Sequence, residues 1–228
     1  MLSYYITDRA QLGGDEGERR RGLLLAITRA ARAGVDYIQL REKEMPAREL
    51  ELVAREAMRI VRGEGATKLL INHRTDVALA VGADGVHLTG SDLAASEVRA
   101  LLAKSAAAPR RRSEFLISVS CHSAEEVRRA EAHGADFCVL APIFEKAGTE
   151  AQPLGLEELR RAAQIDRRPD TRVEAGERTS AFPVFALGGV TVERAAFCAA
   201  AGASGIAGIR LFQQTEELAA LIARVRAL

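Results

Sequence analysis

The sequence has no tryptophan, and its few tyrosines and phenylalanines bring the aromatics to only 4% of 228 residues. Such sparse aromatics argue against a platform on which single-stranded nucleic acid could stack. Cysteine is scarce as well. Cys121, Cys138 and Cys198 are widely spaced, and two of them sit inside apolar segments. That pattern indicates buried free thiols in a reducing cytoplasm, with neither a disulfide frame nor a zinc site. No excess of charge exists in either direction, with 32 Lys and Arg against 31 Asp and Glu. A chain so balanced offers no broad basic field to nucleic acid or to an anionic membrane. No apolar run approaches the ~18 residues of a membrane span, and Met1 to Tyr5 lack the layout of a signal peptide.

What is present is core-forming material, 48% hydrophobic, arranged in a regular alternation. Short apolar runs read as strands at Tyr4–Thr7, Tyr37–Arg41, Lys68–Asn72, Gly85–Leu88, Phe115–Ser120, Phe137–Ala141, Pro183–Leu187 and Gly205–Ile209. Helices are expected at Leu23–Ala33, from Pro46 to Val61, at Asp76–Val81, after a cap at Ser91 or Asp92, at Ser123–His133, Leu156–Ile165 and Thr191–Ala200, with a last one closing at Leu228. The strands are continuously apolar, which means a parallel sheet covered by helices on its outside. A weak repeat supports this: Gly34-Val35-Asp36, Gly82-Ala83-Asp84, Gly134-Ala135-Asp136 and Gly202-Ala203-Ser204 each fall between a helix and the next strand. Eight strands alternating with eight helices, with no Gly-x-Gly-x-x-Gly after the first strand, favour an α/β fold of the (β/α)8 TIM-barrel type over a doubly wound sheet. One domain spanning 1–228 is expected, with a charged surface insertion at 166–181.

In such a barrel the site gathers where strands end. Gln39-Leu40-Arg41-Glu42-Lys43 closes the second strand. Period-two alternation sends Gln39, Arg41 and Lys43 one way and Leu40 and Glu42 the other. A carboxamide and two cations on one side suit a multiply charged anion; alternatively, the cations pair with Glu42 or Glu44 as rim ion pairs. Asn72 joins this group from the third strand. Gly188-Gly189 before Thr191, with Gly208 after the last strand, matches the place where barrels bind phosphate on backbone N–H groups, or else the glycines only allow tight turns. Asp92 suits Mg²⁺, or caps a helix. His122, beside Ser120, is placed for acid–base work or for a hydrogen bond in the rim, whereas His87 and His133 read as structural.

The string of segments resembles the thiamine phosphate synthase/TenI family. It runs from Tyr5-Ile6-Thr7-Asp8-Arg9 through Gln39–Lys43, Ile71-Asn72, Gly82–Leu88 and Val119–Ser123 to Pro142-Ile143-Phe144, Pro153–Leu156 and Ala186–Val190. The resemblance implies an enzyme that joins hydroxymethylpyrimidine diphosphate to hydroxyethylthiazole phosphate, releasing pyrophosphate, and a homodimer. By the same pattern the whole run Gln39 to Lys43 lies with the substrates, and Gln39, Arg41, Lys43 and Asn72 hold the diphosphate. Ser120 touches the pyrimidine, Asp92 holds Mg²⁺, and Gly188, Gly189, Ile209 and Arg210 lie against the thiazole phosphate. Arg41, Lys43 and His122 are the catalytic candidates. Departures cluster in the same places. His73 stands where the synthases carry a second carboxylate, Thr89-Gly90 replaces Gly-Gln, Thr149 falls where a loop lysine belongs (with Lys146 nearby), and Arg210 replaces a serine. These departures keep open a TenI-like thiazole phosphate tautomerase, with His122 as proton shuttle, and a barrel that binds thiazole or thiamine phosphate without catalysis.

Overall fold

A short polar residue after a helix-ending glycine can turn back and bond the backbone it meets. In the computed structural model, which describes residues 1–104, 115–145, 152–164 and 181–228, the Gly-x-Asp repeat does this ahead of the second, fourth and sixth strands. Asp36 Oδ2 accepts from Ser3 N at 2.9 Å and Ser3 Oγ at 2.6 Å, Asp84 from Leu69 N at 2.8 Å and Asp136 from Ile117 N at 2.6 Å. Each carboxylate thus holds the strand before it, while Lys68 N and Leu116 N donate to the carbonyls of Asp36 and Asp84, both at 2.9 Å. The repeat is a set of staples around one rim, and the chemistry is left to the other.

The strands β1 (Leu2–Ile6), β2 (Tyr37–Leu40), β3 (Lys68–Asn72), β4 (Gly85–Leu88), β5 (Leu116–Cys121), β6 (Phe137–Leu140), β7 (Val184–Ala186) and β8 (Gly205–Gly208) pair in sequence order, all parallel. The ring closes where Leu2 lies opposite Gly205 and Tyr5 opposite Gly208. Around it run α1 (Glu16–Arg32), α2 (Ala47–Glu64), α3 (Thr75–Val81), α4 (Ala95–Lys104), α5 (Ala124–Ala132), α6 (Gly155–Ala163), α7 (Val192–Ala200), a short α8 (Arg210–Gln213) and α9 (Leu218–Arg226). This is the (β/α)8 barrel expected from the alternation.

Period two divides the strand side chains between two cores. Outward-facing Tyr5, Ile38, Leu40, Leu69 and Ile71 pack under the helices with Leu23, Ile27 and Val53. Inside the ring, Tyr4, Tyr37, Phe137 and Phe185 form an aromatic plug with centroids 5.0–5.9 Å apart. Edge-on and tilted ring pairs add about 0.5–1.5 kcal/mol each beyond their burial. A Cβ at Gly205 would lie 2.4 Å from the Phe185 ring, so glycine makes room for the plug. The plug fills that end of the barrel, and an open cavity lies where the strands run out.

Several boundaries differ from expectation. Helix α1 starts at Glu16, seven residues before Leu23, because Asp15 and Glu18 cap each other: Asp15 Oδ1 accepts from Glu18 N and Glu18 Oε2 from Asp15 N, both at 2.8 Å. The closing helix is two helices, α8 and α9. Residues 166–180 of the expected insertion and the loop Lys146 to Thr149 lie outside the described residues. Among the described residues no helix is long and apolar enough to cross a membrane.

Candidate active site

The open end of the barrel holds a cavity of about 1130 Å³. Of the residues expected from sequence, Gln39, Arg41, Lys43, Asn72, Ser120, His122, Gly188, Gly189, Ile209 and Arg210 line it. They arrive from β2, β3, β5, β7 and β8, separated by as many as 171 positions of chain, from Gln39 to Arg210. Leu40 and Glu42 do not line it. Leu40 is fully buried between sheet and helices, and Glu42 faces the β1 loop.

What Glu42 does there explains the fate of the two cations. Thr7 Oγ1 donates to Glu42 Oε1 at 2.6 Å, while Arg9 bonds Glu42 Oε2 through Nη1 at 3.1 Å and through its backbone N–H at 3.2 Å. Burial pushes the Glu42 carboxyl up, outweighing the opposite pull of Thr7 and Arg9. Thr7 Oγ1 also accepts from Arg41 N at 3.0 Å, which ties the end of β1 to the residue carrying the first cation. Glu42 is therefore consumed by Arg9, and among the described residues neither Arg41 nor Lys43 has a carboxylate partner for its charged head. The rim-ion-pair alternative does not describe this site. On the other flank, Tyr5 OH donates to Gln213 Oε1 at 2.8 Å and Gln213 Nε2 to Asp8 O at 3.0 Å, pinning the same loop to α8.

Below the cations runs a buried polar chain that sequence reasoning missed. Gln39 Nε2 donates to Tyr4 OH at 3.1 Å; His87 places Nδ1 3.0 Å from Ser118 Oγ and Nε2 2.8 Å from Ser120 Oγ. Burial first, then the charge of Arg41, lowers the His87 pKa from 6.5 to about 3, so the ring is neutral. The available signal was the alternation Ser118-Val119-Ser120 opposite His87, three polar side chains on neighbouring strands facing inward. His122 is exposed on the cavity wall, with Nδ1 2.7 Å from Ala141 O and its backbone N–H 2.7 Å from Glu126 Oε2. A carbonyl can only accept, so Nδ1 carries the proton and Nε2 is the basic nitrogen.

Gly188 and Gly189 stand at φ 92° and 63°. A Cβ at Gly188 would meet Pro142 at 2.7 Å, and one at Gly189 the carbonyl oxygen of Glu145 at 2.5 Å. The tight-turn requirement is real, and it coexists with a place on the cavity wall. Arg194, also unforeseen, braces the turn: Nη1 donates to Gly189 O at 2.9 Å and the guanidinium sits 4.8 Å from the Phe144 ring centre.

Asp92 sits in the loop after β4, held by its neighbours. It does not cap α4, which begins at Ala95. Oδ2 accepts from Thr89 N at 2.6 Å and Thr89 Oγ1 at 2.9 Å, and Oδ1 is engaged by His73 Nδ1. His73 takes a positive φ of 67° to make that contact, and the Asp92 side chain is left 5% exposed. Mg²⁺ wants hard oxygen donors with room for several waters. One carboxylate already shared between a threonine and an imidazole does not fit a protein-held Mg²⁺, and among the described residues no three of His, Cys, Asp or Glu gather to hold a metal ion.

The family model described as thiamine monophosphate synthase matches residues 4–212. A putative thiamine-phosphate synthase 2 of Aquifex aeolicus (strain VF5) is 38% identical over 210 residues, covering 92% of this chain and 96% of that one. A thiamine-phosphate synthase of Moorella thermoacetica is 34% identical over 224 residues, covering 97% and 93%. Among solved structures, a thiamine phosphate pyrophosphorylase from Pyrococcus furiosus superposes with a TM-score of 0.74 at 27% identity, over 99% of this chain and 94% of the other. A barrel with this rim, matched from its first strand to α8, belongs to the thiamine monophosphate synthase family.

Proposed function

We propose that the protein is a thiamine phosphate synthase, coupling hydroxymethylpyrimidine diphosphate to hydroxyethylthiazole phosphate. The observation that carries the reading is the pair Arg41 and Lys43, which line the cavity and have no carboxylate partner among the described residues. In the coupling, the bond between the pyrimidine methylene carbon and the diphosphate oxygen breaks heterolytically. The electron pair leaves with pyrophosphate, and the thiazole nitrogen supplies the pair that forms the new C–N bond. Negative charge accumulates on the leaving group, so cations fixed beside it bind the transition state more tightly than the ground state. Gln39 and Asn72 complete the diphosphate end, Ser120 meets the pyrimidine, and Gly188, Gly189, Ile209 and Arg210 lie by the thiazole phosphate.

Mg²⁺ enters this proposal as part of the substrate, since a diphosphate carries the ion on its own oxygens; no step is routed through Asp92. The decisive experiment mixes the purified protein with both substrates and follows thiamine phosphate and pyrophosphate. Arg41→Ala and Lys43→Ala should each lower kcat/KM by roughly 10²–10³-fold, the scale for removing one charge-stabilising donor. Wild-type protein that forms no thiamine phosphate, or variants that couple at the wild-type rate, would overturn it. A second reading, thiazole phosphate tautomerase, rests on His122, whose basic Nε2 is set by the Ala141 carbonyl. It gains if aromatisation of the carboxythiazole phosphate tautomer occurs without coupling and stops in His122→Ala.

A further inference from the structure

The polar chain under the cavity has a direction, and the direction follows from counting hydrogens. The Gln39 amide nitrogen facing Tyr4 can only donate, so the Tyr4 oxygen accepts there. The Tyr4 hydrogen must then be given away, because Tyr4 is fully buried in the aromatic plug and an unplaced hydroxyl there would be costly. Its neighbours are the Ser118 hydroxyl and His87 Nδ1 at 3.5 Å. Ser118 is itself fully buried, and its Oγ lies 3.0 Å from Nδ1. Among these groups every hydrogen finds an acceptor only when Nδ1 accepts: either Tyr4 donates to Ser118 and Ser118 to Nδ1, or Ser118 donates to Tyr4 and Tyr4 to Nδ1. Were the proton on Nδ1 instead, the hydrogen of either Tyr4 or Ser118 would have no taker among them. A neutral ring that accepts at Nδ1 carries its proton on Nε2, which lies 2.8 Å from Ser120 Oγ. Ser120 then accepts from His87, and its own hydrogen is left to point into the cavity it lines.

We infer that His87 is a positioning residue of the coupling reaction: with its proton held on Nε2 by Ser118 and Tyr4, it fixes the Ser120 hydroxyl as a hydrogen-bond donor toward the substrate ring. The inference rests on the synthase reading for the identity of that ring. It specifies the chemistry that ring must offer, an acceptor such as a pyrimidine nitrogen facing Ser120.

Two measurements test this. Nitrogen-15 NMR of imidazole-labelled protein at neutral pH reads the His87 tautomer directly, independent of any activity; a proton on Nε2 is expected, and a proton on Nδ1 overturns the inference. The second is a double-mutant cycle on the KM for hydroxymethylpyrimidine diphosphate. His87→Phe should raise that KM roughly tenfold, the scale of one hydrogen bond, with the KM for the thiazole phosphate unchanged. In a Ser120→Ala background the same substitution should change it little. His87→Gln, whose amide nitrogen can replace Nε2, should recover most of the loss. Equal losses with and without Ser120, or a loss shared by both substrates, would mark His87 as purely structural and overturn the inference. If wild-type protein fails to couple at all, the synthase reading falls while the tautomer still decides the relay.

Discussion

Burying a neutral histidine inside the ring makes the fold sensitive to acid, and the size of the effect can be worked out. The His87 pKa is 6.5 in an unfolded chain and about 3 in the folded protein, lowered by burial and by Arg41. As pH falls below 6.5, the unfolded state takes up a proton that the folded state refuses, so protons favour unfolding. The stabilising term is complete above pH 6.5 and is lost progressively toward pH 3. At pH 4.5 the loss is about 3 kcal/mol from this one group. Urea denaturation at pH 7 and at pH 4.5 measures it, comparing wild type with His87→Gln, which cannot titrate. The wild-type midpoint should fall further than that of the variant by roughly 1 M or more, given slopes of about 1–3 kcal/mol per molar urea. If the two proteins lose the same stability over that interval, His87 is accessible to protons in the folded state and the account of the barrel interior is wrong.

Other substitutions probe the rest of the rim. Glu42→Ala strips Thr7 and Arg9 of their shared carboxylate; a loss of about 3 kcal/mol is expected by urea denaturation, with coupling reduced because the Thr7 hydroxyl that accepts from Arg41 N loses the carboxylate that orients it, and an unchanged midpoint would refute the clamp. Gly189→Ala drives a Cβ toward the Glu145 carbonyl oxygen at 2.5 Å and a φ of 63°, so a drop of about 1–3 kcal/mol is expected, visible as a lower Tm. A tolerated alanine there would mean the turn re-forms elsewhere. His73→Asp sets a second carboxylate beside Asp92 in place of the imidazole; calorimetric titration of the free protein should then detect Mg²⁺ binding roughly tenfold tighter than in wild type, and no gain would count against the histidine being what spoils the site.

Much of this arrangement could be read from the chain because it depends on periodicities. Strand period two alone separates Gln39, Arg41 and Lys43 from Leu40 and Glu42, and the cavity wall follows that division. The Gly-x-Asp spacing located the helix-to-strand joints, though not that the aspartates reach back to the preceding strand. What escaped was of two kinds. Local signals were present but outweighed: Asp15 and Glu18 make a capping box, yet the apolar pattern begins only at Leu23. Other features depend on contacts between distant residues. Glu42 could be assigned to Arg9 and Thr7 only once the end of β1 was seen beside it, 33 and 35 positions away. Asp92 looked like an open ligand because nothing in its neighbourhood of sequence announces that His73 bends to meet it. His87 seemed inert for the same reason, since its two serines lie on the next strand.

The seam between β1 and β8 sets an order of events for synthesis on the ribosome. The first strand emerges about two hundred residues ahead of its partner at Gly205 to Gly208. Throughout that interval one flank of β1 displays bare amides and carbonyls, a template for any extended segment in reach. The Tyr5–Gln213 bond forms later still. A nascent chain stalled before Gly205 is thus an adhesive ribbon, and that flank is covered only once β8 has left the ribosome.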